Sequence, residues 1–134
     1  MSNIDKKTLL IIKALDSLKF KNSVDDDGYI FFESESGNYY IECSNDDPDF
    51  FHLIFPAFYE IKTNAQRNKV LKACNLVNST LKFAKFFVYN DDVYASVESF
   101  QSLNSDFEKI IERSITAIDI GLKEFSDSLD KKQD

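Results

Sequence analysis

The sequence predicts an α+β fold, an antiparallel sheet packed with helices in the order α-β-β-β-β-α-β-β-α. Three observations carry this. Apolar residues recur at helical spacing near both ends and once in the middle. Strand-like runs fill the intervals, and turn residues of hairpin type separate the runs. The 134 residues suffice for one domain with one core. No repeat or linker interrupts them, so a single domain over residues 1–134 is expected, with a polar tail from about residue 127.

In the opening segment Ser2 or Asn3 can cap a first helix, with Asp5 in the first turn, where the helix dipole favours negative charge. Ile4, Thr8, Ile11, Ile12, Leu15 and Leu18 form its apolar stripe, which fails near Lys19. A short strand is expected around residues 20–24. "DDDGYIFFES" then turns at Asp27-Gly28 into a strand, and "ESGNYYIECS" turns at Ser36-Gly37 into the next. There Tyr39, Ile41 and Cys43 share one face, and Tyr40, Glu42 and Ser44 the other. "FFHLIFPAFYEI" is the most apolar stretch. Pro56 has no amide to give a ladder and marks an edge, a bulge or the strand's end.

Thr63 or Asn64 caps a second helix running to about Leu81, with Val70, Leu71, Cys74, Val77 and Leu81 facing inward. A hairpin follows, "LKFAKFFVYN" and "VYASVES" joined at "NDD". Ser105 and Glu108 have the spacing of a capping box for the last helix. Its stripe is Phe107, Ile110, Ile111, Ile115, Ile118, Leu122, Phe125 and Leu129, and residues 127–134 read as a frayed polar tail.

A sheet covered by helices on one side should be polar on the other. In this chain both faces of the strands are apolar. Ala84, Phe86 and Val88 oppose Phe83, Phe87 and Tyr89, with only Lys85 interrupting. Val93, Ala95 and Val97 oppose Tyr94, Ser96 and Glu98. Phe51, Leu53 and Phe55 oppose Phe50, His52 and Ile54. Either a twisted sheet closes on itself, or an apolar surface meets another chain, most simply a second copy. The candidate partner or dimer surface is Phe83, Phe87, Tyr89 and Tyr94, with Lys82 and Lys85 beside them.

Composition argues against catalysis. His52 is the sole histidine and lies in an apolar strand, so a dyad with Cys43 or Cys74 has no evident third group. The two cysteines have no C-x-x-C spacing and are expected to be small buried thiols. Asp25-Asp26-Asp27, Asp46-Asp47 and Asp91-Asp92 fall at expected turns without calcium-loop spacing, and no zinc set exists, so neither metal nor other cofactor is expected. Three scattered glycines cannot build a phosphate cradle. The net charge of −7 opposes nucleic-acid binding, although residues 61–90 hold Lys62, Arg67, Lys69, Lys72, Lys82 and Lys85 and no acid. No leader and no bilayer-length apolar run is present, so a soluble cytoplasmic protein is expected.

Residues 70–100, "VLKACNLVNSTLKFAKFFVYNDDVYASVESF", and the amphipathic helix from Ser105 resemble the YbjN-like family, which shares its fold with the specialised chaperones of bacterial type III secretion. The resemblance implies a non-enzymatic, often dimeric domain that holds a partner protein or acts in regulation. Asn75 and Asn78 stand three apart in the last turns of a helix. Asparagine suits a place where the chain leaves a helix, because its amide bonds free backbone groups. Both read as fasteners of the helix–strand joint. Three functions are weighed: a dimeric binding module for a protein client; a regulatory domain sensing a small ligand between sheet and helices; and a hydrolase using Cys74 or Cys43 with His52.

Overall fold

The computed structural model describes residues 5–43 and 47–130. In chain order these form α1 (Lys6–Ser17), β1 (Asn22–Val24), β2 (Tyr29–Ser34), β3 (Gly37–Glu42), β4 (Phe50–Glu60), α2 (Asn64–Thr80), β5 (Ala84–Tyr89), β6 (Asp92–Phe100) and α3 (Phe107–Asp130). The order is the one expected from sequence. The six strands make one antiparallel sheet, β1-β2-β3-β4-β6-β5. β6 is inserted between β4 and β5, so the segment β4-α2-β5 is a split crossover, with α2 carrying the chain past β6 to the sheet edge.

Helix ends are set by short polar side chains. Asp5 is itself the cap of α1, its carboxylate accepting from the Thr8 amide at 2.8 Å, rather than a first-turn residue. The expected caps Ser2 and Asn3, and Ile4, lie outside the described residues, as do Ser44 and Asp46. α1 stops at Leu18 because Lys19 turns left-handed (φ 64°). The Phe20 amide then reaches the Leu15 carbonyl and the Lys19 amide that of Asp16, a Schellman closure. Thr63 caps α2 by accepting from the Gln66 amide, while Gln66 accepts from the Lys62 amide at 2.7 Å.

α3 departs from expectation at both ends. Asp106 caps it, accepting from the Lys109 amide at 3.2 Å. Glu108 instead accepts from Ser17 and Ser105 donates to Gln101, so no Ser105–Glu108 box forms. Aspartate caps as well as serine does, and the start moves by one residue. The helix also continues through Asp130, so residues 127–130 are not a frayed tail; residues 131–134 lie outside the described residues.

All three helices lie on one side of the sheet. Ile11 and Leu15 of α1, Val70, Ala73, Cys74 and Val77 of α2, and Phe107, Ile111, Ile118 and Phe125 of α3 form one core. They pack with Ile30, Phe32, Tyr39, Ile41, Phe51, Leu53, Phe86 and Val93 of the strands. Leu71, expected inward, is half exposed; Ala73, fully buried, takes the seam instead. Pro56 resolves as a bulge. The β4–β6 register shifts between Phe55 and Tyr59, with Ala57 at φ 45°. The shift lets both Phe58 and Tyr59 meet the Phe125 ring, at 5.5 and 5.6 Å. Gly121 of α3 lies against Phe86. A Cβ there would stand 2.4 Å from the Phe86 ring and 2.7 Å from Leu81.

Candidate functional site

The sheet face away from the helices follows from register. Phe31, Tyr40, Ile54, Ser96 and Lys85 form one row across β2, β3, β4, β6 and β5. Beside it run Tyr29, Glu42, His52 and Glu98, and on the other side Tyr94 and Phe87. Phe87 stacks on Tyr94 at 5.6 Å, Tyr89 meets Tyr94 edge-on at 6.1 Å, and Tyr40 touches both Tyr29 and Phe31. Among the described residues none of these rings belongs to the core that the helices close or to the partly buried residues packed on it. Tyr89 is 63% exposed and Phe100, at the far end of β6, 81% exposed. The structure thus brings together four of the six residues picked from sequence: Lys85, Phe87, Tyr89 and Tyr94.

A polar chain crosses the same face. Lys85 reaches Glu98 at 2.6 Å and lies 5.7 Å over the Phe87 ring; His52 stands 3.6 Å from Glu98 and 3.2 Å from Glu42. The hydrogen bond from Lys85 holds the Glu98 carboxyl below the usual carboxylate range, with the fields of His52 and Lys85 adding to it and partial burial opposing. A lowered folded pKa means stability present above the unfolded value and lost as pH falls through the folded one. Replacing Lys85 by Ala is therefore expected to move the Glu98 titration, followed by carboxyl-carbon NMR, upward toward the ordinary range. Acid unfolding should become less pH-dependent in that window.

Ser96 lies beneath this surface, and its hydroxyl is buried without a hydrogen-bond partner among the described residues. An orphaned buried hydroxyl costs about 1–3 kcal/mol. Ser96→Ala removes it at little packing cost and is expected to stabilise by about 1 kcal/mol, read as a higher urea midpoint with unchanged slope.

Phe83 and Lys82 go elsewhere. Alternation would put Phe83 with Lys85, Phe87 and Tyr89, but Phe83 has φ 71°, and the Ala84 amide closes back on the Lys82 carbonyl at 2.8 Å. This γ-turn breaks the alternation and brings the ring beside α3, where Arg113 lies 5.9 Å above it. Phe83 is therefore not on the helix-free face. With Lys82 it lines an open groove of about 600 Å³, walled by Ile110, Arg113, Ala117 and Ile120 of α3 and by Leu81 and Val97.

The two asparagines also part. The Asn78 side-chain amide donates to the Phe86 carbonyl at 2.9 Å, and its oxygen accepts from the Phe86 amide at 2.8 Å, so it spans the outer edge of β5 like a ladder partner. Asn75 is exposed on α2 and makes no such bond. The Cys–His pairing does not occur. His52 faces away from the helices, whereas Cys74 is in α2 and Cys43 packs on the helix side near Thr8 and Lys7. Burial pushes the Cys74 thiol up to about 11 and raises that of Cys43, which is half-buried. Both are poor nucleophiles.

Reasoning from sequence missed Phe100 and Arg113. Phe100 continues the Phe50–His52–Ile54 face onto β6, a placement that follows from the register of β4 against β6. Arg113 matters only because α3 passes the Phe83 turn, for which the sequence carries no local sign. Among the described residues no helix is long and apolar enough to cross a membrane.

No curated protein matches the chain. A family model does, over residues 6–103, from α1 through β6 and the loop beyond it. The match takes in the whole sheet and the first two helices, and by it the chain belongs to the family described as T3SS (YopN, CesT) and YbjN peptide-binding chaperone 1.

Proposed function

We propose that the protein is a non-catalytic, cytoplasmic chaperone-like or regulatory module that pairs with a second copy through its helix-free sheet face and holds an extended segment of a partner protein. One observation carries this: a face of Phe31, Tyr40, Phe87, Tyr89, Tyr94 and Phe100 that no helix covers. Exposed aromatic rings of this kind, here Phe31, Tyr89 and Phe100 with the polar row of Glu42, His52 and Glu98 between them, are typical of an interface. The peptide-binding family supports a peptide segment as client. Edge geometry does too, since β1 is a three-residue edge strand that can accept another strand.

The test compares native protein with Phe87→Asp by light scattering and by affinity copurification from host lysate. Phe87 is only partly buried, so the variant is expected to fold. A native dimer, a monomeric variant and a stoichiometric client with the native form support the reading. A monomeric native protein overturns the dimer, and a dimer without a client under every growth condition overturns the client.

A further inference from the structure

β6 outruns β5. Ala84 stands opposite Val97, so residues 98–100 pair only with β4. The Gln101 amide donates to the Asp49 carbonyl at 2.6 Å, which makes 49/101 a hydrogen-bonded pair. In an antiparallel ladder such pairs alternate, so the N–H and C=O of Phe100 point away from β4, to the side where β5 has stopped. Free edge groups of this kind invite a further strand.

The groove opens beside this overhang, and its volume falls in the range of ligand sites. The γ-turn at Phe83 keeps it open. An extended Phe83 would carry β5 on along β6, but the chain turns off instead, at a left-handed φ that is strained for a bulky side chain. Ile120, on the α3 wall, is half exposed. The rim is positive. Lys82 and Arg113 form no ion pair among the described residues, and Glu112 is the only acid in the lining. Glu124 is held by Thr80 at 2.8 Å, so the charge that selects an occupant is that of Lys82 and Arg113 themselves, and it selects a carboxylate between them.

The geometry points to an acidic–apolar, extended segment of the partner protein as the occupant of this groove, added to the free end of β6 in line with β5, with a carboxylate between Lys82 and Arg113 and apolar side chains against Leu81, Val97 and Ile120. The assignment rests on the peptide-holding reading above and gives the held segment its place and chemistry.

The probe is the acetylated, amidated peptide Ile-Thr-Asp-Thr-Ile, which reads alike in both directions and puts its acid and both apolar side chains on one face. It is titrated into the full chain and followed by amide NMR, beside the same peptide with Lys for Asp. The expected result is saturable shifts at Phe83, Phe100, Arg113 and Ile120, with the Lys peptide about tenfold weaker. Arg113→Glu should invert the preference and Ile120→Glu should abolish binding; both positions are exposed, so the fold is retained. Shifts confined to Phe87 and Tyr94, or an Arg113→Glu variant with unchanged preference, overturn the assignment. So does absence of saturable shifts in protein that still captures its client, an outcome that leaves the client-holding reading standing. Failure of both client capture and peptide binding overturns both.

Discussion

Gly121→Ala is expected to destabilise the protein by about 2–3 kcal/mol, although alanine is the better helix former by about 1 kcal/mol. The added methyl would lie 2.4 and 2.5 Å from two Phe86 ring carbons and 2.7 Å from a Leu81 methyl. Phe86 cannot swing aside, because Phe58 stands edge-on to it at 5.7 Å and Phe125 is stacked on it at 6.2 Å. The clash therefore outweighs the propensity gain. Thermal unfolding should show a Tm lower by roughly 6–12 °C. Shortening the ring in the same chain, with Phe86→Leu, should restore part of the loss, so the two changes couple by more than about 1 kcal/mol in a double-mutant cycle. Independent, additive effects would mean that α3 does not rest on Phe86 through Gly121.

Asn78→Ala is expected to cost about 2 kcal/mol, a large effect for an exposed position. Two hydrogen bonds to the Phe86 backbone are lost together, and the edge of β5 is left with both groups unpartnered. Urea unfolding gives the stability change, and amide hydrogen exchange locates it, with protection of Phe86 falling before that of β4 or β6. Asn78→Asp keeps the acceptor for the Phe86 amide but aims a charge at the Phe86 carbonyl. Relative to the alanine variant it should gain stability as pH falls and its carboxyl can donate. An Asp variant as stable as native at neutral pH would show that the donor half of the amide is dispensable.

What the sequence makes legible is what local periodicity encodes. The stripes of Ile11–Leu15 and Ile111–Ile118–Phe125 and the hairpin turns at Gly28 and Asn90-Asp91 depend on near neighbours, and the element order follows from them. Two adjacent good caps, Ser105 and Asp106, cannot be ranked without the loop that places them, so the start of α3 moved by one residue. Helical spacing puts Leu71 inward with Val70 and Cys74, whereas in the fold the small Ala73 takes the seam and Leu71 is half exposed. The aromatic face on Phe87, Tyr89 and Tyr94 could be read from alternation. The displacement of Phe83 could not, since nothing marks a positive φ at a phenylalanine. The groove joins residues 80–83, 97–101 and 110–120, a conjunction that only the folded chain makes.

The insertion of β6 between β4 and β5 has a consequence for synthesis. β4, with Phe51, Leu53 and Phe55, gains its second neighbour only when the segment from Asp92 to Phe100 has been made, because Glu60 pairs with Asp92 and Phe50 with Phe100. At about 5–20 residues per second the ribosome takes roughly 2–8 s to make the chain from the end of β4 at Glu60 to the end of β6 at Phe100. In that time the most apolar strand of the nascent chain is paired on one side at most, and the aggregation hazard of this protein is concentrated there. Slowing elongation between residues 60 and 100 should lower the soluble yield.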